Sequence, residues 1–240
     1  MIASDLDGTL LGDARALDRF ADWLKPRRKG IALVYVTGRF FESVKNAVDE
    51  GQLPNPDALI AAVGTAIYDF PNPQPLPEWS RRCPPNWDPD RIRKILHDRP
   101  ELEPQPDKFQ SPLKVSYFFP GASTRDLRTL EQLLKAHGLD FHMIYSSEQH
   151  LDFLPPGMNK GAAVDFLAKR WNIPTQNVIV CGDTGNDADL FNYGFSGVVV
   201  ANAQPELRII DGPNVYHASL PFAAGALEGV KFYWREHEPD

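Results

Sequence analysis

Three runs of uninterrupted apolar residues punctuate the chain: 31–36 (Ile-Ala-Leu-Val-Tyr-Val), 58–63 (Ala-Leu-Ile-Ala-Ala-Val) and 178–181 (Val-Ile-Val-Cys). Continuous runs of this length predict parallel strands buried on both faces. Ile2 and Ala3 allow only a short first strand, unless the chain begins upstream of Met1. Between these runs the apolar positions change to a helical period. Leu17, Phe20, Ala21 and Leu24 line one face of 14–25, and helices are also expected over 40–50, from Lys160 to Trp171, over 187–193 and over 221–234. A further strand is expected at 197–201, and a short hairpin-like segment at 66–68. Alternation of strands and helices argues for an α/β fold, a parallel sheet with helices on both faces.

The middle of the chain breaks that rhythm. Prolines 71, 73, 75, 77, 84, 85 and 89 are too dense for a helix or central strand and read as a linker. Beyond them come a candidate helix at 90–98, a half-buried alternating strand at 114–119 and an amphipathic helix capped by Ser123 or Thr124 and ended by Gly138. Segments 141–145 and 150–154, joined by a polar turn, read as a β-hairpin. Pro155-Pro156-Gly157 is the return linker. The expected organisation is a core over 1–75 and 157–240 with a smaller α/β domain inserted at 76–156.

Composition narrows the function classes. The net charge of −7 and the absence of a polybasic tail remove the electrostatic case for nucleic acid or an anionic membrane. Nor does any apolar run approach the ~20 residues of a membrane span. Cys83 and Cys181 suit neither a disulfide framework nor a zinc site, and two free thiols point to a reducing, cytoplasmic setting.

The chemistry sits where the expected strands end. Asp5-Leu6-Asp7-Gly8-Thr9 follows the first strand, Thr37-Gly38-Arg39 the second, and Gly182-Asp183-Thr184-Gly185-Asn186-Asp187 the strand at 178–181, while Lys160-Gly161 opens a helix. Residues two apart on a strand share a side, so Asp5 and Asp7 reach one pocket. Taken singly, each segment is also compatible with a plain turn, a surface lysine or a calcium loop. Their joint order at carboxyl ends of strands favours one site.

The four segments, in this order, resemble the motifs of the haloacid dehalogenase-like (HAD) phosphohydrolases. The resemblance implies a Rossmannoid core and a Mg²⁺-dependent phosphatase. Asp5 would be the nucleophile, forming an aspartyl-phosphate, and Asp7 the general acid and base. Lys160, the Thr37 hydroxyl and the Gly38 amide would bind the phosphoryl oxygens. Asp5, Asp183 and the Asp7 carbonyl would hold the metal, with Asn186 and Asp187 beside them. Asp7 argues against the dehalogenases, which lack an acid two residues after the nucleophile. Only residues 8–36 separate Asp7 from Thr37, which leaves no room for the phosphomutase-type insertion, and the segment after Thr37 resembles a type-two α/β cap.

Val63-Gly64, Lys114-Val-Ser-Tyr117, Tyr145-Ser-Ser147, Leu151-Asp-Phe-Leu-Pro155, Asn159-Lys-Gly161 and Asn202-Ala-Gln-Pro-Glu206 extend the resemblance to the sucrose-phosphate and mannosylfructose-phosphate phosphatases over nearly the whole chain. Gly8 departs from the Asn common after the second Asp in cyanobacterial sucrose-phosphate phosphatases. A disaccharide needs several hydrogen-bonding side chains. Arg39, Lys114, Tyr117, Ser146, Glu148, Gln149, His150 and Asp152 are the candidates. The expected partner is a small sugar phosphate, with a sugar-phosphate synthase as a further candidate. The open alternatives are a mannosylfructose-phosphate phosphatase, a promiscuous hexose-phosphate phosphatase and a catalytically silent partner of such a synthase.

Overall fold

Residues 1–235 are described by the structure, a computed structural model. In chain order, the first part of the core comprises β1 (Ile2–Ser4), α1 (Ala14–Leu24), β2 (Leu33–Val36), α2 (Phe41–Asp49), β3 (Ala58–Ala61), β4 (Ala66–Asp69) and the short α3 (Pro77–Ser80). The inserted region follows as α4 (Pro89–Leu96), β5 (Glu103–Pro104), β6 (Val115–Phe118), α5 (Thr124–Ala136), β7 (His142–Ser146) and β8 (His150–Leu154). The chain then returns through α6 (Lys160–Arg170), β9 (Ile179–Gly182), β10 (Ser196–Val199), α7 (Pro205–Arg208), β11 (Val215–His217) and α8 (Phe222–Arg235).

The large sheet runs β11-β10-β9-β1-β2-β3-β4, parallel throughout except for β4. Alternate side chains go to opposite faces. Ile2, Leu33, Tyr35, Leu59 and Cys181 pack under α1, α2 and α8, whereas Ala3, Val34, Val36, Ile60 and Val180 pack under α6. The first strand is short but central: β1 lies between β9 and β2, where the order reverses direction. A crevice at the carboxyl ends of strands opens at such a point, and Asp5 and Asp183 follow β1 and β9 there.

The inserted region is a four-stranded antiparallel sheet, β5-β6-β8-β7, with α4 and α5 packed on one face. Val115, Tyr117, Leu151, Phe153, Met143 and Tyr145 point to those helices. The intervening residues, Ser116, Asp152, His150, His142, Ile144 and Ser146, take the opposite face, which looks toward the core. Ile144 and Leu154 meet Val63 of the core there.

Several elements depart from expectation. Pro77 sits in the first turn of α3, where a missing N–H costs nothing. Leu76 and Trp79 pack with the large sheet, and the Trp79 indole N–H donates to Gly64 O at 2.9 Å. The proline-rich stretch therefore begins as part of the core. The expected helix at 187–193 is instead a 3₁₀ segment, Gly185–Asn192. The apolar run 58–63 ends as a strand at Ala61, because Ala62 and Val63 turn with φ of 49° and 60°.

Candidate active site

The loop after β1 closes tightly on itself, with Leu10 N and Leu11 N both donating to Leu6 O. Gly8 takes a φ of 87° in this turn, and a Cβ there would strike the Asp183 carboxylate. Thr9 Oγ1 donates to Asp183 Oδ1 at 2.9 Å, and Asn202 ties the loop down by donating to Gly8 O at 2.7 Å. The Asp5–Thr9 loop and the Asp183 loop are thus built against each other.

Lys160 lies fully buried at the first position of α6, whose N-cap Asn159 accepts from Ala162 N. Its Nζ donates to Asp5 Oδ1 at 2.7 Å, Asn186 Oδ1 at 2.6 Å and Asp187 Oδ1 at 2.6 Å. Gly161 permits this approach, since a Cβ would collide with Asp189 O. Asp187 Oδ2 accepts from the amides of Asp183 and Thr184 at 3.0 and 3.1 Å, so the acidic loop is folded around its own carboxylate.

Asp5, Asp183 and Asp187 each offer a carboxylate oxygen, all within 4.8 Å of one another, and all three residues are buried. One ammonium faces three carboxylates. Burial would depress the Lys160 pKa, but Asp187 and Asp5 outweigh it and hold the ammonium charged. Burial, with Asp187 and Asp183 adding to it and Lys160 opposing, pushes Asp5 well above the carboxylate range. Burial and the Asp187 charge push Asp183 up to about 7. Buried oxygen donors with unbalanced negative charge fit a hard divalent cation.

Thr37 is buried at the end of β2, its Oγ1 accepting from Arg39 N at 3.1 Å. Among the described residues the Gly38 N–H meets no protein acceptor, which leaves it free for an oxyanion. Arg39 grips Asp7 with two bonds, Nε to Oδ2 at 2.7 Å and Nη2 to Oδ1 at 2.5 Å. The Asp7 side chain therefore points to Arg39 rather than into the carboxylate cluster.

In the cap, Lys114 is 4% exposed. Its Nζ lies 3.2 Å from Asp152 Oδ1 and 5.9 Å from the centre of the Phe40 ring, next to Arg39. Ser116 Oγ shares Asp152 Oδ1 at 2.5 Å. Ser146 and His150 are on this same face. Glu148 and Gln149 are exposed at the hairpin tip, where their carbonyls accept from Gly121 N and Phe119 N. Tyr117 corrects the sequence reading. It is 4% exposed and edge-on to Phe153 beneath the cap helices, because its place in β6 turns it away from the core.

Sequence reasoning missed several contacts that join the two parts. Glu206 Oε1 accepts from Ser147 N of the cap at 3.1 Å and from Gly185 N of the acidic loop at 3.4 Å. His142 Nε2 meets Asp189 Oδ2 at 2.8 Å. Asn202-Ala-Gln-Pro-Glu206 was visible as a shared segment, but a clamp between residues far apart in the chain leaves no local pattern.

A family model described as sucrose-6F-phosphate phosphohydrolase matches residues 1–234. A mannosylfructose-phosphate phosphatase from Agrobacterium fabrum is 31% identical over 98% of this chain and 96% of its own. Sucrose-phosphatase 1 of Nicotiana tabacum is 36% identical over 96% of this chain, which spans 58% of the tobacco protein's length. The sucrose-phosphatase of Synechocystis, solved in complex with sucrose and phosphate, superposes with a TM-score of 0.91 at 33% identity, covering 97% of this chain and 96% of that one.

Proposed function

Because the chain belongs to the sucrose-6F-phosphate phosphohydrolase family, we propose that it hydrolyses sucrose 6-phosphate to sucrose and phosphate. The observation that carries this reading is the buried Asp5, pinned by Lys160 within a cluster of buried carboxylates.

Asp5 attacks phosphorus, and the bond to the sugar oxygen breaks as Asp7 delivers a proton to that oxygen. Water, deprotonated by Asp7, then attacks the aspartyl-phosphate, releasing phosphate and restoring Asp5. Both Asp7 oxygens accept from Arg39 in the free protein, so the guanidinium must give way as substrate enters. Lys160, Thr37 and Gly38 receive the phosphoryl oxygens. A carboxylate and a phosphate ~4 Å apart repel by about 4 kcal/mol at an effective dielectric of 20. Asp5, Asp183 and Asp187, with Asn186 and the Asp7 carbonyl nearby, would hold Mg²⁺, whose charge offsets that repulsion. Lys114, Ser146, Asp152, His150, Glu148 and Gln149 present the sugar-selecting surface.

The test is Mg²⁺-dependent phosphate release from sucrose 6-phosphate, mannosylfructose phosphate and glucose 6-phosphate, with Asp5→Asn as control. Preference in kcat/KM for sucrose 6-phosphate supports the assignment. Preference for the mannosyl ester moves the substrate and keeps the mechanism. No turnover on any ester rejects the catalytic reading in favour of a silent partner. Association with a synthase belongs to the same proposal. A glucosylglycerol-phosphate synthase from Pseudomonas anguilliseptica is 32% identical to this chain over 95% of it, which accounts for 30% of the synthase's length.

A further inference from the structure

On the core-facing side of the cap sheet, a buried glutamine outside the catalytic motifs fixes the chemistry of a histidine. Gln105 follows β5, with its amide N donating to Ser116 O at 3.0 Å and its carbonyl accepting from Gln110 Nε2 at 3.0 Å. Gln110 is itself anchored at both ends of its amide, donating to Ser116 O and accepting from Ser116 N. The Gln105 backbone is thus held from two sides.

The side-chain amide of Gln105 makes two contacts through Nε2, to Tyr117 O at 3.1 Å and to His150 Nδ1 at 3.1 Å. A carbonyl oxygen only accepts, so the Gln105 group facing Tyr117 O is the NH₂ and not the oxygen. The same NH₂ faces His150 Nδ1, which must then accept. That ring nitrogen carries no proton, and the proton of the neutral imidazole lies on Nε2. Burial lowers the His150 pKa, with Asp152 opposing and Lys114 adding to the fall, which keeps the ring neutral. The ring is tilted against Phe118, 5.6 Å away between centres.

Among the described residues neither His150 Nε2 nor Gln105 Oε1 has a hydrogen-bond partner, and no buried side-chain polar atom there is left unpaired. Both atoms are therefore open to a ligand. We propose that Gln105 is a positioning residue, locking His150 as the Nε2–H tautomer so that the His150 N–H donor and the Gln105 oxygen acceptor together meet hydroxyls of the sugar ring distant from the phosphate. The proposal rests on the sugar-phosphatase reading and supplies it with a specificity element outside the catalytic core.

Two readouts on the full-length protein test it. Long-range ¹H–¹⁵N correlation spectra of His150 should show a protonated Nε2 and an unprotonated Nδ1 in the wild type. Gln105→Leu, which preserves volume, should give a mixed tautomer population. Loss of an oriented donor and acceptor should raise KM for sucrose 6-phosphate roughly tenfold, leaving kcat and both constants for p-nitrophenyl phosphate unchanged. Gln105→Glu, able to accept from Nδ1–H, should move the proton to Nδ1 and raise KM similarly, a check should the leucine variant fold poorly. A wild-type spectrum with the proton on Nδ1 overturns the proposal, as do equal losses on both esters. A wild type without preference for any sugar phosphate would count against the proposed substrate, while the spectrum would still decide the tautomer lock.

Discussion

The core crevice and the cap face both gather polar side chains but use them in different ways. In the crevice the groups are charged, buried and mutually bonded: Lys160 touches Asp5, Asn186 and Asp187, and Asp187 folds the backbone of its own loop. On the cap face, open hydrogen-bonding atoms of His150 and Gln105 accompany one internal ion pair, Lys114 with Asp152. The first arrangement is closely interbonded and suited to a single reaction centre. The second offers donors and acceptors of the kind that discriminate hydroxyl patterns. On the proposed reading, the core carries the chemistry and the cap face the choice of substrate.

Four changes would break or sharpen that contrast. Asp5→Asn should cost about 10⁴-fold in kcat on every ester, large or small, in a phosphate-release assay. Lys160→Met leaves three buried carboxylates without their ammonium. It should destabilise the fold by about 3–5 kcal/mol, read by calorimetry as a fall of about 10 °C in Tm. Gly64→Ala places a Cβ into the Asn159–Lys160 backbone at a φ of 94°. The expected cost is roughly 1–3 kcal/mol in denaturant unfolding, with activity lost on all substrates because Lys160 is displaced. His142→Ala removes a partly buried pair with Asp189 and should change stability by less than about 1 kcal/mol. Its effect should appear as altered small-angle scattering, because this contact joins the cap sheet to the acidic-loop segment of the core.

The two regions were also unequally legible in sequence. Asp5, Lys160 and Asp183, which the structure brings together, were readable because each follows an apolar strand or opens a helix, so local pattern and geometry coincide. The cap face was readable only by alternation. Tyr117 and Lys114 both looked like sugar contacts, and β6 sends Tyr117 to the helices while Lys114 reaches Phe40. Gln105 was invisible, because β5 is two residues long and exposed, and its role depends on partners at 117 and 150. β11 escaped for a similar reason: Val-Tyr-His at a half-exposed edge carries no burial pattern. The proline-rich stretch misled because composition alone does not show that Trp79 reaches back to Gly64.

The most direct test of the division is a pair of kcat/KM values, for sucrose 6-phosphate and for p-nitrophenyl phosphate, measured with Mg²⁺ before and after replacing Glu148, Gln149 and His150 together by alanine. The account predicts a fall of roughly tenfold to a hundredfold on the sugar ester, carried by KM, and no change on the small ester. Equal losses on both esters would show that the cap face serves the chemistry itself and would contradict the separation of catalysis from selection.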